Sequence, residues 1–182
     1  IYIFDGEGKE WEYKIDQIRQ NSFKISKIKK NRKKPKIKPC LTLGFPLSQE
    51  KKIDFILQKA TELGVSELIP FISSRSLKLK IREKKMKRWK KVVREACRQS
   101  ERLWIPKVYY PVKLTQLVEK CFSLKLLASP HKNNKINFTD KKLENILFLV
   151  GPKGGFSSIE LENLKKNNFS FLNLSSNILR TE

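Results

Sequence analysis

Leu149-Val150-Gly151-Pro152-Lys153-Gly154-Gly155-Phe156-Ser157-Ser158-Ile159-Glu160 joins two well-marked elements through a loop with almost no side chain. The apolar run Ile146 to Val150 has the composition of a strand buried on both faces, and it stops at a glycine-proline pair. Ser157 and Glu160 then make an S-x-x-E capping box, which fixes the start of a helix running to about Asn167. A strand, a glycine loop and a helix let backbone N–H groups approach a ligand closely. The loop is not the G-x-G-x-x-G of a dinucleotide fold, and it lacks the G-x-x-x-x-G-K-[ST] of a P-loop. Its local physics is compatible with either a tight turn or a ligand cradle.

On either side of this stretch the chain divides into two patterns. In the first 45 residues, Ile1–Phe4 and Trp11–Ile15 flank Asp-Gly-Glu-Gly, a hairpin signal. Phe23–Ile28 and Ile37–Phe45 are further expected strands, separated by a lysine-rich turn. After Pro46 the spacing of Ile53, Ile56, Leu57 and Ala60 predicts a helix, with Ser48 as N-cap and Gly64 as its stop. Val65–Ile72 reads as a strand, Glu83–Arg102 as a helix with Trp89, Val92, Val93, Ala96 and Cys97 on one face, and Leu114–Cys121 as a short helix. Leu124–Ala128 and Phe171–Leu174 are compact apolar strands. Strands alternating with helices predict an α/β domain with a mostly parallel sheet over residues 46–182, preceded by a small β unit over residues 1–45.

The chain carries 40 Lys and Arg against 18 Asp and Glu, a formal charge of +22. The excess is clustered. Residues 24–38 hold nine basic groups and no acid, and residues 78–94 hold ten basic groups and one acid. A field of that kind calls for a polyanionic partner, most simply nucleic acid contacted by the first two-thirds of the chain. No apolar run is long enough to span a membrane, and the start at Ile1 does not read as a signal peptide. The missing methionine leads us to expect a fragment that begins inside a strand. Three scattered cysteines (Cys40, Cys97, Cys121) fit neither a disulfide framework nor a metal site, so no metal is expected, and a reducing cytoplasm is. His131, the only histidine, lies in the polar stretch SPHKNNK and reads as a loop residue.

GPKGGFSSIE, followed by Leu174-Ser175-Ser176-Asn177-Ile178-Leu179-Arg180-Thr181-Glu182, resembles the two closing motifs of the bacterial 16S ribosomal RNA (uracil-N3) methyltransferases, the RsmE family of the SPOUT superfamily. Two further stretches are similar to that family. One is Gln58–Val65 with Pro70 and Arg75-Ser76. The other is Arg88-Trp89 and Glu95–Ser100 with Arg102 and Pro106. The matches run in order through residues 46–182. The resemblance implies a C-terminal trefoil knot, a PUA-like RNA-binding β domain at the front, and a homodimer with S-adenosylmethionine held in the knot. The substrate it implies is 16S ribosomal RNA in the small subunit.

By the same resemblance, Gly151, Pro152, Gly154, Gly155, Leu174, Ser175, Ile178 and Leu179 are the expected cofactor-binding residues. Leu127 and Ala128, at the end of a preceding strand, are expected to add a wall. Arg180 is the candidate catalytic group, orienting the uracil or stabilising its anion, and no residue is assigned as general base. Arg75, Arg98, Gln99 and Arg102, with Lys33 and Lys34 of the first basic cluster, are candidate RNA contacts. Lys153 stands where the family usually has glutamate, and Ser175 where it usually has glycine. An RNA-binding protein of the same fold with weakened catalysis is therefore the alternative.

Overall fold

The computed structural model describes residues 1–77, 79–129 and 143–175, without the side chains of Lys29 and Lys30. Its first three strands, β1 (Tyr2–Phe4), β2 (Lys9–Arg19) and β3 (Ser22–Lys33), form an antiparallel sheet in sequence order. The expected hairpin at Asp-Gly-Glu-Gly is present, with Tyr2 opposite Glu12. The expected lysine-rich turn is largely absent, because β3 continues through it to Lys33. There Glu10 lies opposite Arg32, and the pair makes a 2.9 Å ion pair across the strands.

β4 (Cys40–Pro46) corrects the predicted division of the chain. Expected in the front β unit, it instead lies in the middle of a seven-stranded sheet, paired in parallel with a strand on each side. The change of sheet therefore falls in residues 34–39, ahead of the predicted boundary at 46. α1 (Glu50–Glu62) follows, with Gln49 and not Ser48 as its N-cap. The backbone of buried Leu47 donates to the Phe71 carbonyl at 3.0 Å, which holds the chain on the sheet for that extra residue. Next come β5 (Glu67–Ile72), α2 (Glu83–Gln99), β6 (Lys107–Val108), β7 (Val112–Lys113) and α3 (Leu114–Val118). β8 (Leu124–Ala128), β9 (Asn145–Leu149), α4 (Ser158–Lys166) and β10 (Ser170–Leu172) complete the described chain.

α2 ends three residues before the predicted Arg102. Glu101 adopts a φ of 49°, the chain reverses, and Arg102 N–H returns to the Cys97 carbonyl at 2.9 Å. α3 likewise stops before the predicted Cys121.

The sheet order is β10-β8-β9-β4-β5-β6, with β7 also on β5, and every pairing is parallel. One face buries Ile53, Leu57, Trp89 and Val93 from α1 and α2. The other buries Leu117 and Leu164 from α3 and α4. Adjacent strands β4 and β9 send their following helices to opposite faces and opposite sides of the sheet. Such a switch point leaves a crevice above the carboxyl ends of the strands, where ligands bind in open α/β sheets. The glycine loop begins there.

The front sheet docks on the far end of α2. Gly8 N–H donates to the Leu103 carbonyl, Ile105 N–H to the Gly6 carbonyl, and Trp104 Nε1 to the Lys34 carbonyl at 2.8 Å.

Trp89 is fully buried at the centre of the α1–α2 face. Trp89→Ala removes that packing and is expected to cost about 3–5 kcal/mol of stability, measured as a lower urea midpoint.

Candidate functional site

Two loops meet at the switch point, residues 73–77 after β5 and Gly151–Ser157 after β9. Glu160, in the first turn of α4, joins them. Its carboxylate accepts from Ser74 N–H (2.7 Å), the Ser74 hydroxyl (2.8 Å), Ser157 N–H (2.9 Å) and the Ser157 hydroxyl (3.2 Å). Burial alone would raise this carboxyl; the four donors outweigh it and hold its pKa below the ordinary carboxylate value. Held by donors from both loops, Glu160 is a strut between them.

Arg75 makes the second tie. Its guanidinium Nη1 donates to the Gly154 carbonyl, and its Cδ lies 3.3 Å from where a Cβ on Gly154 would stand. The structure thus sets this candidate RNA contact directly on the glycine loop. Beneath the loop, Phe156 stacks on buried Phe71 with ring centroids 6.1 Å apart. A side chain on Gly151 would meet the Phe156 ring at 2.9 Å, so Gly151 is small to admit that ring. Gly155 has a different reason. Its φ is +69°, and a Cβ built there meets nothing within 4 Å. Pro152 is buried and its carbonyl accepts from Gly155 N–H at 2.7 Å, closing a tight turn. The loop is therefore both a turn and an open backbone surface.

The other expected residues fall in three groups. Leu127 is 1% exposed and packs in the core with Leu149 and Phe171, and Ala128 is half-buried at the end of β8. Leu174 is exposed, and Ser175 N–H bonds Asn173 Oδ1 at 3.1 Å. Ile178, Leu179 and Arg180 lie outside the described residues, as does His131.

Arg98, Gln99 and Arg102 sit away from the loop. α1 and α2 lie side by side in the same direction: Arg88 pairs with Glu50 and Asp54 at one end, and Arg102 Nη1 donates to the Thr61 carbonyl at 2.7 Å at the other. α1 starts directly after β4, so the Arg88 end lies at the crevice and Arg102 lies at the opposite edge of the sheet. Arg98 and Gln99 are exposed there, with Arg98 paired to Glu95 at 3.1 Å. Arg102, a candidate RNA contact, is partly buried, with its guanidinium on the Thr61 carbonyl. Burial lowers its guanidinium pKa, an effect partly offset by Cys97, and burial pushes the Cys97 thiol up to about 11. Lys33 and Lys34 are exposed at the end of β3, and the Lys34 backbone helps dock the two sheets. Among the described residues no group of three or more His, Cys, Asp or Glu is placed to hold a metal.

A parallel α/β sheet with an open backbone loop at its switch point defines a class: the open-sheet α/β proteins, whose ligands generally bind above the strand ends. A protein-family profile described as an RNA methyltransferase domain matches residues 34–182. The chain is 36% identical over 179 residues to a ribosomal RNA small subunit methyltransferase E of Mesomycoplasma hyopneumoniae, covering 94% of this chain and 77% of that protein. It is 34% identical to the protein of the same name from Rickettsia conorii, covering all of this chain and 75% of that one. A crystal structure of ribosomal RNA small subunit methyltransferase E from Neisseria gonorrhoeae bound to S-adenosyl methionine superposes with a TM-score of 0.89 at 30% identity, covering 100% of this chain and 76% of that one. The chain belongs to the RNA methyltransferase family, among the small subunit methyltransferases E.

Because Glu160 has a depressed folded-state pKa, its strut contributes stability above the ordinary carboxylate pKa of about 4.3. That contribution is lost as pH falls through the lower folded value. Glu160→Gln is expected to be less stable than the wild type at pH 7, with the gap closing toward pH 3; denaturation at the two pH values measures it.

Proposed function

We propose that this chain transfers the methyl group of S-adenosylmethionine to N3 of a specific uridine in 16S ribosomal RNA of the small subunit. The observation that carries the reading is the open loop Gly151–Gly155 at the switch point of a chain belonging to the RNA methyltransferase family.

The open backbone of the loop supports a role in holding the cofactor. The space over Gly155 is one that a Cβ would enter, and its backbone is held by Arg75 on one side and by the Glu160 strut on the other. When bound, S-adenosylmethionine supplies an electrophilic methyl on a cationic sulfonium. The chain's part is to place that methyl in line with the attacking nitrogen, and positioning supplies much of the rate in such a displacement. N3 of uracil carries a proton at neutral pH and becomes nucleophilic as that proton leaves. A cation near the developing uracil anion favours the step, the role the family resemblance gives Arg180. Glu160, whose lowered pKa makes it a weaker base, is not assigned as the proton acceptor. Lys153 is exposed, so its ammonium can stay in water away from a sulfonium. This supports tolerance of the lysine in place of the family's glutamate.

The wider reading goes with this one. Residues 34–182 form the catalytic unit, its C-terminal chain threaded as a trefoil knot, and the β1–β3 sheet is a PUA-like RNA-binding unit. The protein acts as a cytoplasmic homodimer, and among the described residues no helix is long and apolar enough to cross a membrane.

Incubation with labelled S-adenosylmethionine and undermethylated small subunits is expected to label the 16S RNA, with the product nucleoside identified as 3-methyluridine by mass spectrometry. Gly155→Trp, which fills the open space, is expected to lose transfer by at least about a hundredfold, on the order of the effect of misplacing a reacting group. Label on another base, or none with the folded wild type, would overturn the assignment.

A further inference from the structure

We propose that the outer face of α2 is a track for the phosphate backbone of the substrate RNA, running from the glycine-loop end of the sheet to the front β sheet. The proposal rests on the RNA substrate argued above and adds where that RNA is gripped outside the methyl-transfer site.

α2 carries eight basic residues and two acids. Its core face is the buried series Met86, Trp89, Val93, Ala96 and Cys97. On the opposite side, Lys84, Lys87, Lys91, Arg94 and Arg98 recur at alternating spacings of three and four, and all five are exposed. With a rise of 1.5 Å per residue they form one stripe about 21 Å long, with one cation about every 5.4 Å turn.

The helix sorts its charges. Lys85 and Arg88 turn toward α1, where Glu50 takes both and Asp54 also takes Arg88; these cations serve the packing of the two helices. On the outer stripe, Lys87 and Arg98 have only single-turn partners, Glu83 and Glu95. Lys84, Lys91 and Arg94 make no ion pair among the described residues. Like charges three and four apart on one helix face disfavour the helix. A polyanion laid along the stripe relieves that repulsion and releases its own counterions.

Placement gives the stripe a direction. The Arg88 clasp to the start of α1 sets its first residues at the crevice. The chain just beyond its last residue carries Glu101, paired with Arg32, and Leu103, bonded to Gly8. β3 of that sheet carries Lys24, Lys27 and Lys33. The stripe thus bridges the two places where RNA contact is otherwise expected.

The test uses the full chain with Lys91→Glu/Arg94→Glu, against a control of identical charge change, Lys165→Glu/Lys166→Glu, on the last turn of α4 at the other face. Binding to purified undermethylated small subunits is measured across a salt series, and S-adenosylmethionine binding by calorimetry. The stripe variant is expected to lose at least about tenfold in subunit affinity, with its log–log salt slope shallower by about 1.4–1.8, two phosphate contacts at about 0.7–0.9 each. The control is expected to lose less than about threefold, and both to bind S-adenosylmethionine within about twofold of the wild type. The milder Lys91→Gln/Arg94→Gln pair should shift the slope in the same direction if charge reversal impairs folding. Equal losses in stripe and control variants, or an unchanged slope, would overturn the track while leaving the methyltransferase reading intact. Wild-type protein that binds no small subunits would overturn both.

Discussion

The carboxylate of Glu160 is the point on which the site depends. A glycine loop has little packing of its own, and glycine loses more conformational freedom on ordering than any other residue. Something outside the loop must hold it. Glu160 does so from the helix that follows, closing its own N-terminal cap through Ser157 and reaching 86 residues back along the chain to Ser74. Arg75, next to Ser74, then grips the Gly154 carbonyl. The β5 and β9 loops, which rim the crevice, thereby become one unit. The stacked Phe71 and Phe156 rings form its apolar floor. The space above Gly155 is open because the restraints act from the sides and below.

Charge is arranged with similar economy. The chain has a large cationic excess, yet its carboxylates are set where they organise structure: Glu50 and Asp54 at the helix pair, Glu10 and Glu101 around Arg32, Glu160 at the loops. Neutralising these positions leaves the outer face of α2 strongly basic. Arg102 follows another logic, a half-buried guanidinium used to hold the carbonyl end of α1 against the end of α2. Its cost in desolvation is visible in its lowered pKa. Two arginines four residues apart, Arg98 and Arg102, thus face solvent and interior respectively, because the helix they were expected to share ends at Gln99.

Much of this was legible in the sequence where the signal was local. The capping box of Ser157 and Glu160, the stop at Gly64, the hairpin at Gly6 and Gly8, and the apolar strands β8 and β9 follow from neighbouring residues alone. The membership of β4 was not legible, since its apolar run suits either sheet until its partners β5 and β9 are known. The same holds for the second half of Glu160's role, which depends on Ser74, and for the position of Arg75 on the glycine loop. Leu127, expected as a wall because it ends a strand, is nearly fully buried in the core, a depth its own apolar run does not reveal. Reversal of the chain at Glu101 likewise depends on packing of the residues that follow, not on any glycine in the sequence.

Methyl transfer by this chain requires that the loop from Gly151 to Ser157 cradle the methyl donor. Hydrogen exchange of the full chain with and without S-adenosylmethionine tests it most directly. Exchange is expected to slow in peptides covering residues 149–160, with a matching change in the 73–77 loop to which Glu160 and Arg75 tie it. Cofactor binding that protects other segments and leaves both loops unchanged would contradict it.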